Sequence, residues 1–180
     1  MVELEDGELL LRSLKGYLEE LRESGVDELS FAALPALEHD CQAAGNPQAR
    51  LLFVMSGPGF AGAAGDLLAK IIQAMGFAPS EVCLLSFAAL PGTPDPVRQT
   101  LLDRIAAVGP EIVVTLGEQA AQLLLQSSEV VEKLRGSFHD LAGVPLLPTL
   151  HPDAMLENPA LKREVWSDMQ QVMRRLAPAL

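Results

Sequence analysis

Read by the spacing of its apolar positions, the chain begins with a helical stretch. From Glu8 to Ser24, Leu10, Leu11, Leu14, Leu18 and Leu21 recur at helical intervals, while Glu19, Glu20, Arg22 and Glu23 fill the other face. Ser24-Gly25 is a suitable stop. Residues 25–50 read as a surface loop broken by Pro35, Gly45, Asn46 and Pro47. From residue 51 short apolar runs alternate with longer helical stretches. The strands predicted are Leu51–Met55, Val82–Leu85, Glu111–Leu116 and Val144–Leu147. The helices predicted are Gly62–Met75, Val97–Val108, Glu118–Leu125 and a closing one over 160–176 that carries Trp166. This alternation predicts an α/β fold: three layers, α/β/α, around a mainly parallel sheet of about four strands, plus the acidic N-terminal helix. The division expected is 1–44 for that helix and its linker, and 45–180 for the α/β domain.

Composition narrows the class. Apolar residues make up 49% and charged residues 21% of the 180, enough for one buried core and too apolar for a disordered chain. The longest uncharged stretch, Leu51 to Gly65, is 15 residues and is interrupted by Pro58 and four glycines. A membrane-spanning helix needs about 20 apolar residues, so no membrane partner is expected. The acidic start, Met-Val-Glu-Leu-Glu-Asp-Gly-Glu, lacks the features of a secretory signal and predicts a cytoplasmic protein. The net charge of −11 is concentrated in residues 1–40, where 11 acids face 3 bases; that helix suits a docking surface for a protein partner or a lid. Nucleic-acid binding usually leaves a basic footprint. The one local candidate is Lys162, Arg163, Arg174 and Arg175, which equally fits the solvated face of the last helix.

In open α/β sheets ligands sit beyond the carboxyl ends of the strands. Those positions hold Ser56-Gly57-Pro58-Gly59-Phe60, Ser86-Phe87, Gly117-Glu118 and His151-Pro152. The glycine-rich turn suits close backbone approach to an anion, and equally a tight structural turn; it fits neither a dinucleotide fingerprint nor a P-loop. A histidine fixed by Pro152 can donate to developing negative charge, or be merely structural. Neither Ser56 nor Ser86 lies in a nucleophile elbow. Cys41 and Cys83, the only cysteines, are too few for a disulfide framework or a four-ligand metal site, and no metal is expected.

The order of these segments is more telling than any one of them. Val54-Met55-Ser56-Gly57-Pro58-Gly59 followed by Phe60-Ala61-Gly62-Ala63-Ala64-Gly65-Asp66-Leu67-Leu68 resembles two signatures of the uracil-DNA glycosylase superfamily, above all its iron–sulfur, family-four branch. Pro110 to Ala120 resembles a third signature, Arg135-Gly136 a fourth, and Pro148 to Pro159 (Pro-Thr-Leu-His-Pro-Asp-Ala-Met-Leu-Glu-Asn-Pro) a fifth, with Lys162 and Trp166-Ser167-Asp168 continuing it. The resemblance implies an enzyme that hydrolyses the N-glycosidic bond of a base flipped out of DNA. It implies Phe60 stacking on that base and His151 stabilising charge on the leaving uracil. Ser56 stands where the family carries its water-activating acid, Ser86 where an asparagine reads the uracil edge, and Glu157 where an arginine faces DNA. The four cluster cysteines are missing, with Leu90 and Arg98 about where two would fall, so no iron–sulfur cofactor is expected.

The expectation is therefore a divergent glycosylase-like protein with lost or strongly weakened uracil excision. It would keep a pocket of base or nucleotide size lined by Ser56, Gly57, Pro58, Gly59, Phe60, Ser86 and His151, with DNA, a free base or a nucleoside as ligand. One alternative is an active DNA glycosylase of altered specificity in base-excision repair, with Ser56 holding the water. The other is a flavodoxin-like small-molecule module unrelated to DNA.

Overall fold

A computed structural model describes residues 41–88 and 94–177. The expected helix over Glu8–Ser24 and Leu90 lie outside the described residues. The order of elements is β1 (Cys41–Gly45), β2 (Leu51–Ser56), α1 (Gly62–Ala74), β3 (Cys83–Phe87), α2 (Pro94–Val108), β4 (Ile112–Leu116), α3 (Glu118–Leu125), α4 (Val131–Leu134), β5 (His139–Leu141), β6 (Val144–Thr149), α5 (Pro152–Glu157), a 3₁₀ turn (Pro159–Leu161) and α6 (Lys162–Leu176). The strands form one sheet in the order β1-β3-β2-β4-β6-β5. The four central strands, β3, β2, β4 and β6, run parallel and are the four that the apolar runs predict. Two short antiparallel strands extend the edges.

Those edges had no signal in the pattern. The segment Cys-Gln-Ala-Ala-Gly lies inside the stretch 25–50 read as a loop; it has no alternation of its own and becomes β1 by pairing along β3, from Cys41 opposite Phe87 to Gly45 opposite Cys83. β5 forms a hairpin with β6 through Ala142 and Gly143, both at positive φ (51° and 90°), as a tight two-residue hairpin turn requires.

The central strand β2 is buried on both faces, which is why it reads as an unbroken apolar run. Leu51, Phe53 and Met55 face one core, built with Ile112, Val114 and Leu116 of β4 and closed by Leu68 and Ile72 of α1, Met155 of α5, and Val165, Met169 and Val172 of α6. Leu52 and Val54 face the other, with Val113, Leu85 and Leu146, closed by Val97, Leu101 and Ile105 of α2 and by Ala120 and Leu124 of α3. The result is the three-layer α/β/α arrangement that the alternation predicts. All four parallel strands end at the same rim, and there the turn 57–60, Gly117 and His151 meet. Among the described residues no helix is long and apolar enough to cross a membrane.

Ile72 is wholly buried between α1 and the sheet. Truncation to Ala should cost about 2–5 kcal/mol of unfolding free energy, read as a lower urea midpoint at an unchanged denaturant slope.

Candidate functional site at the carboxyl rim of the sheet

At the end of β2 the chain turns sharply. Gly57 N–H donates to the Phe87 carbonyl at 2.9 Å, tying the turn to the end of β3. Pro58 is exposed at its tip, and Gly59 is buried beneath it. A Cβ on Gly59 would sit 3.0 Å from Ser86 Oγ, so the turn lies directly over that hydroxyl, and Ser86 is only 5% exposed. The strand register pairs Met55 with Ser86 and Ser56 with Phe87. Because successive side chains alternate between faces, Ser56 and Ser86 point to opposite sides of the sheet. Ser86 is thus covered by Gly59, while half-buried Ser56 stands at the strand end.

Phe60 enters α1 half-buried, against the core cluster that also holds Leu150 and Met155, the apolar residues on either side of His151-Pro152. Close helix–turn packing explains the glycine at 65: a Cβ there would lie 2.1 Å from the Phe60 carbonyl carbon. α1 in turn packs on α5. Phe60 and His151 therefore stand on two elements that touch, at one rim.

His151 follows β6 and caps α5, with Pro152 in the first turn, where a missing N–H costs nothing. Its Nε2 lies 3.1 Å from the Ser56 carbonyl oxygen. That oxygen can only accept, so Nε2 carries the hydrogen and donates. Nδ1 accepts the Asp153 backbone N–H at 3.2 Å, and Asp153 Oδ2 lies 3.2 Å from the same nitrogen. The side chain also lies close against Gly117. At φ 92° that position favours glycine, and a Cβ would come 2.9 Å from His151 Cβ. The structure thus joins three of the four strand ends around the imidazole: Ser56, Gly117 and His151 itself.

Beneath this rim is a buried polar anchor. Thr149 Oγ1, two residues before His151, donates to Asp168 Oδ2 at 2.7 Å. Arg135 reaches the same carboxylate oxygen through Nε at 3.2 Å and Nη2 at 3.0 Å, and donates through Nη1 to Glu164 at 2.6 Å. The Thr149 carbonyl accepts from Gly117 N–H at 2.8 Å, so the anchor and the glycine that seats the imidazole share one residue. Burial pushes the Asp168 carboxyl above its usual range, against the pull of Thr149 and Arg135. Arg135-Gly136 and Asp168 are in the sequence motifs, but their pairing across 33 residues has no local signal.

The remaining candidates separate. Lys162 and Arg163 open α6, and Arg174 and Arg175 close it. Twelve residues of helix put the pairs about 18 Å apart. Arg175 lies over the Phe138 ring at 4.6 Å, and Arg174 Nε donates to the Gln170 carbonyl of its own helix. They do not form one basic patch. Glu157 ends α5, exposed beside Leu156, which is 44% exposed. A four-thiolate cluster does not fit this chain. Its two cysteines are buried on adjacent strands, four residues apart in register, and burial raises both thiols. Among the described residues no group of three or more metal-ligating side chains converges.

Residues 43–170 match the Uracil DNA glycosylase superfamily, and the chain belongs to that superfamily. It is similar to three proteins named Type-4 uracil-DNA glycosylase. The one from Saccharolobus solfataricus is 28% identical over 160 residues, covering 74% of each chain. That from Archaeoglobus fulgidus is 25% identical over 154 residues, covering 71% of this chain and 77% of the relative. That from Sulfurisphaera tokodaii is 29% identical over 160 residues, covering 74% and 72%.

Gly117→Ala should push the imidazole off its seat, lowering both the thermal midpoint and any ligand affinity of the rim. Asp168 gives a pH signature. Its folded-state pKa lies above its unfolded one, so its contribution is present below the unfolded pKa and is lost as pH rises through the folded value. Asp168→Asn removes that titration. Relative to the variant, wild type should gain stability in urea unfolding as pH is lowered through that window.

Proposed function

We propose that this chain is a divergent member of the glycosylase superfamily whose uracil excision is lost or strongly weakened, and which keeps a base-sized pocket at the rim. The observation that carries the reading is the end of β2. Residue 56 there is a serine, so the strand end carries no carboxylate, and its carbonyl is what meets His151 Nε2. Cleavage of an N-glycosidic bond leaves an electron-poor sugar and an electron-rich base, and water must be held and deprotonated. His151 Nε2–H is suited to the base: it is a donor aimed along the rim. Phe60 is suited to stacking, worth about 1–3 kcal/mol per base. A serine hydroxyl does not replace a carboxylate toward water, and loss of a general base costs about 10²–10⁴ in rate. Nor does Ser86, covered by Gly59, offer the paired donor and acceptor that would read a uracil edge. Residues 57–60 leave selectivity to shape and backbone groups. DNA, a free base or a nucleoside are the ligands this pocket suits.

A second reading, an active DNA glycosylase of altered specificity, is favoured by one observation: α5 carries an acid, Asp153, against His151, and an exposed apolar side chain, Leu156, at its other end. Such a side chain suits insertion between base steps.

The test is base release from single- and double-stranded oligonucleotides carrying uracil, hypoxanthine or xanthine, with a type-4 relative assayed in parallel. Uracil release at least about 10² slower than the relative's is the expected result. Release at the relative's rate, abolished by His151→Ala, would refute the first reading. Rapid release of another base with the same dependence would establish the second.

A further inference from the structure

Two groups of Asp153 lie at His151 Nδ1, and they suit different protonation states of the ring. The Asp153 backbone N–H donates to Nδ1 at 3.2 Å, which requires the nitrogen's lone pair. Asp153 Oδ2, 3.2 Å from the same atom, is within ion-pair distance of the ring when the ring is charged. Nε2 meets an acceptor, the Ser56 carbonyl, and so carries hydrogen in either state. The imidazole is largely covered, at 20% exposure, whereas Asp153 is 64% exposed; the carboxylate reaches the ring from the solvent side. Other charged side chains on the elements around the ring are Glu118 next to Gly117, Asp66 and Lys70 on α1, and Glu157 at the far end of α5. None of these hydrogen-bonds the ring among the described residues.

We propose that Asp153 is a positioning residue for a cationic His151. When the ring takes a second proton from solvent, Nδ1 gives up the Asp153 amide and donates to the Asp153 carboxylate. Nε2–H stays directed at the rim, where a planar anion such as a departing base can take the place of the Ser56 carbonyl. No other bond forms or breaks, and the carboxylate balances the added charge. The inference rests on the reading of the rim as a base-sized pocket and adds to it. The acid missing at position 56 is not replaced toward water; the acid at 153 acts on the histidine instead. Asn at 153 keeps the amide contact of the neutral ring and removes only the contact of the cation, so the two states can be separated by one substitution.

The experiment uses the full chain labelled with ¹⁵N-histidine, as wild type, Asp153→Asn and Asp153→Glu, followed by NMR between about pH 8 and about pH 5. At the upper pH wild type and Asp153→Asn should both show the Nε2–H tautomer. At the lower pH the Nε2 proton of Asp153→Asn should exchange with solvent about fivefold faster than that of wild type, the change a partly exposed ion pair supports, and Asp153→Glu should restore protection. Equal exchange in wild type and Asp153→Asn, or an Nδ1–H tautomer in wild type at the upper pH, would overturn the proposal. Barbiturate, a planar pyrimidine anion, serves as the cleft probe and should bind Asp153→Asn more weakly than wild type at the lower pH. The expected NMR pattern with no barbiturate binding to wild type would count against the pocket and leave the role of Asp153 standing.

Discussion

One hydrogen bond joins the two sides of the rim: His151 Nε2–H to the carbonyl of Ser56. Its partners are 95 residues apart and come from the ends of β2 and β6, which are separated in the sheet by β4. The bond is possible only because β4 ends in Gly117, whose missing side chain leaves room for the imidazole between its neighbours. A ring held in this way has little freedom. Its Nε2 is a fixed donor, its Nδ1 is satisfied by the helix it caps, and what it can do to a ligand follows from those two commitments.

The rigidity of that ring depends on burial deeper in the fold. Thr149, Asp168, Arg135 and Glu164 form a chain of charge-assisted contacts below β6. Such a network is a poor source of net stability, since desolvation offsets much of the attraction. Its value lies in geometry: one orientation of the β6 end satisfies the Arg135 fork, the Thr149 hydroxyl and the Gly117 amide together. The apolar cores on the two faces of β2 supply the stability, and the polar anchor chooses the conformation.

Charge is spread unevenly along this chain. The overall balance is −11. The cations of α6 are split between its two ends, and acids stand at 153 and 157 on α5, the helix that His151 caps. Phosphate contacts dominate affinity for nucleic acid.

Much of the fold was legible from local pattern, because a doubly covered parallel strand has to be an apolar run and a covering helix has to be amphipathic. The four central strands, the three longer helices between them and the rim positions from Ser56 to His151 followed from that alone, whereas the short α4 (Val131–Leu134) did not. The order of the signatures pointed to the superfamily that residues 43–170 match. Tertiary contact decided the rest. The edge strands Cys41–Gly45 and His139–Leu141 exist through pairing, not propensity. Ser56 and Ser86 look alike in sequence, both at strand ends, but the register sends them to opposite faces and Gly59 covers one of them. Asp153 was visible as a letter after His-Pro, and Arg135 and Asp168 as scattered matches. Their roles are distances between side chains brought together by packing, and hydrophobic periodicity carries no record of distance.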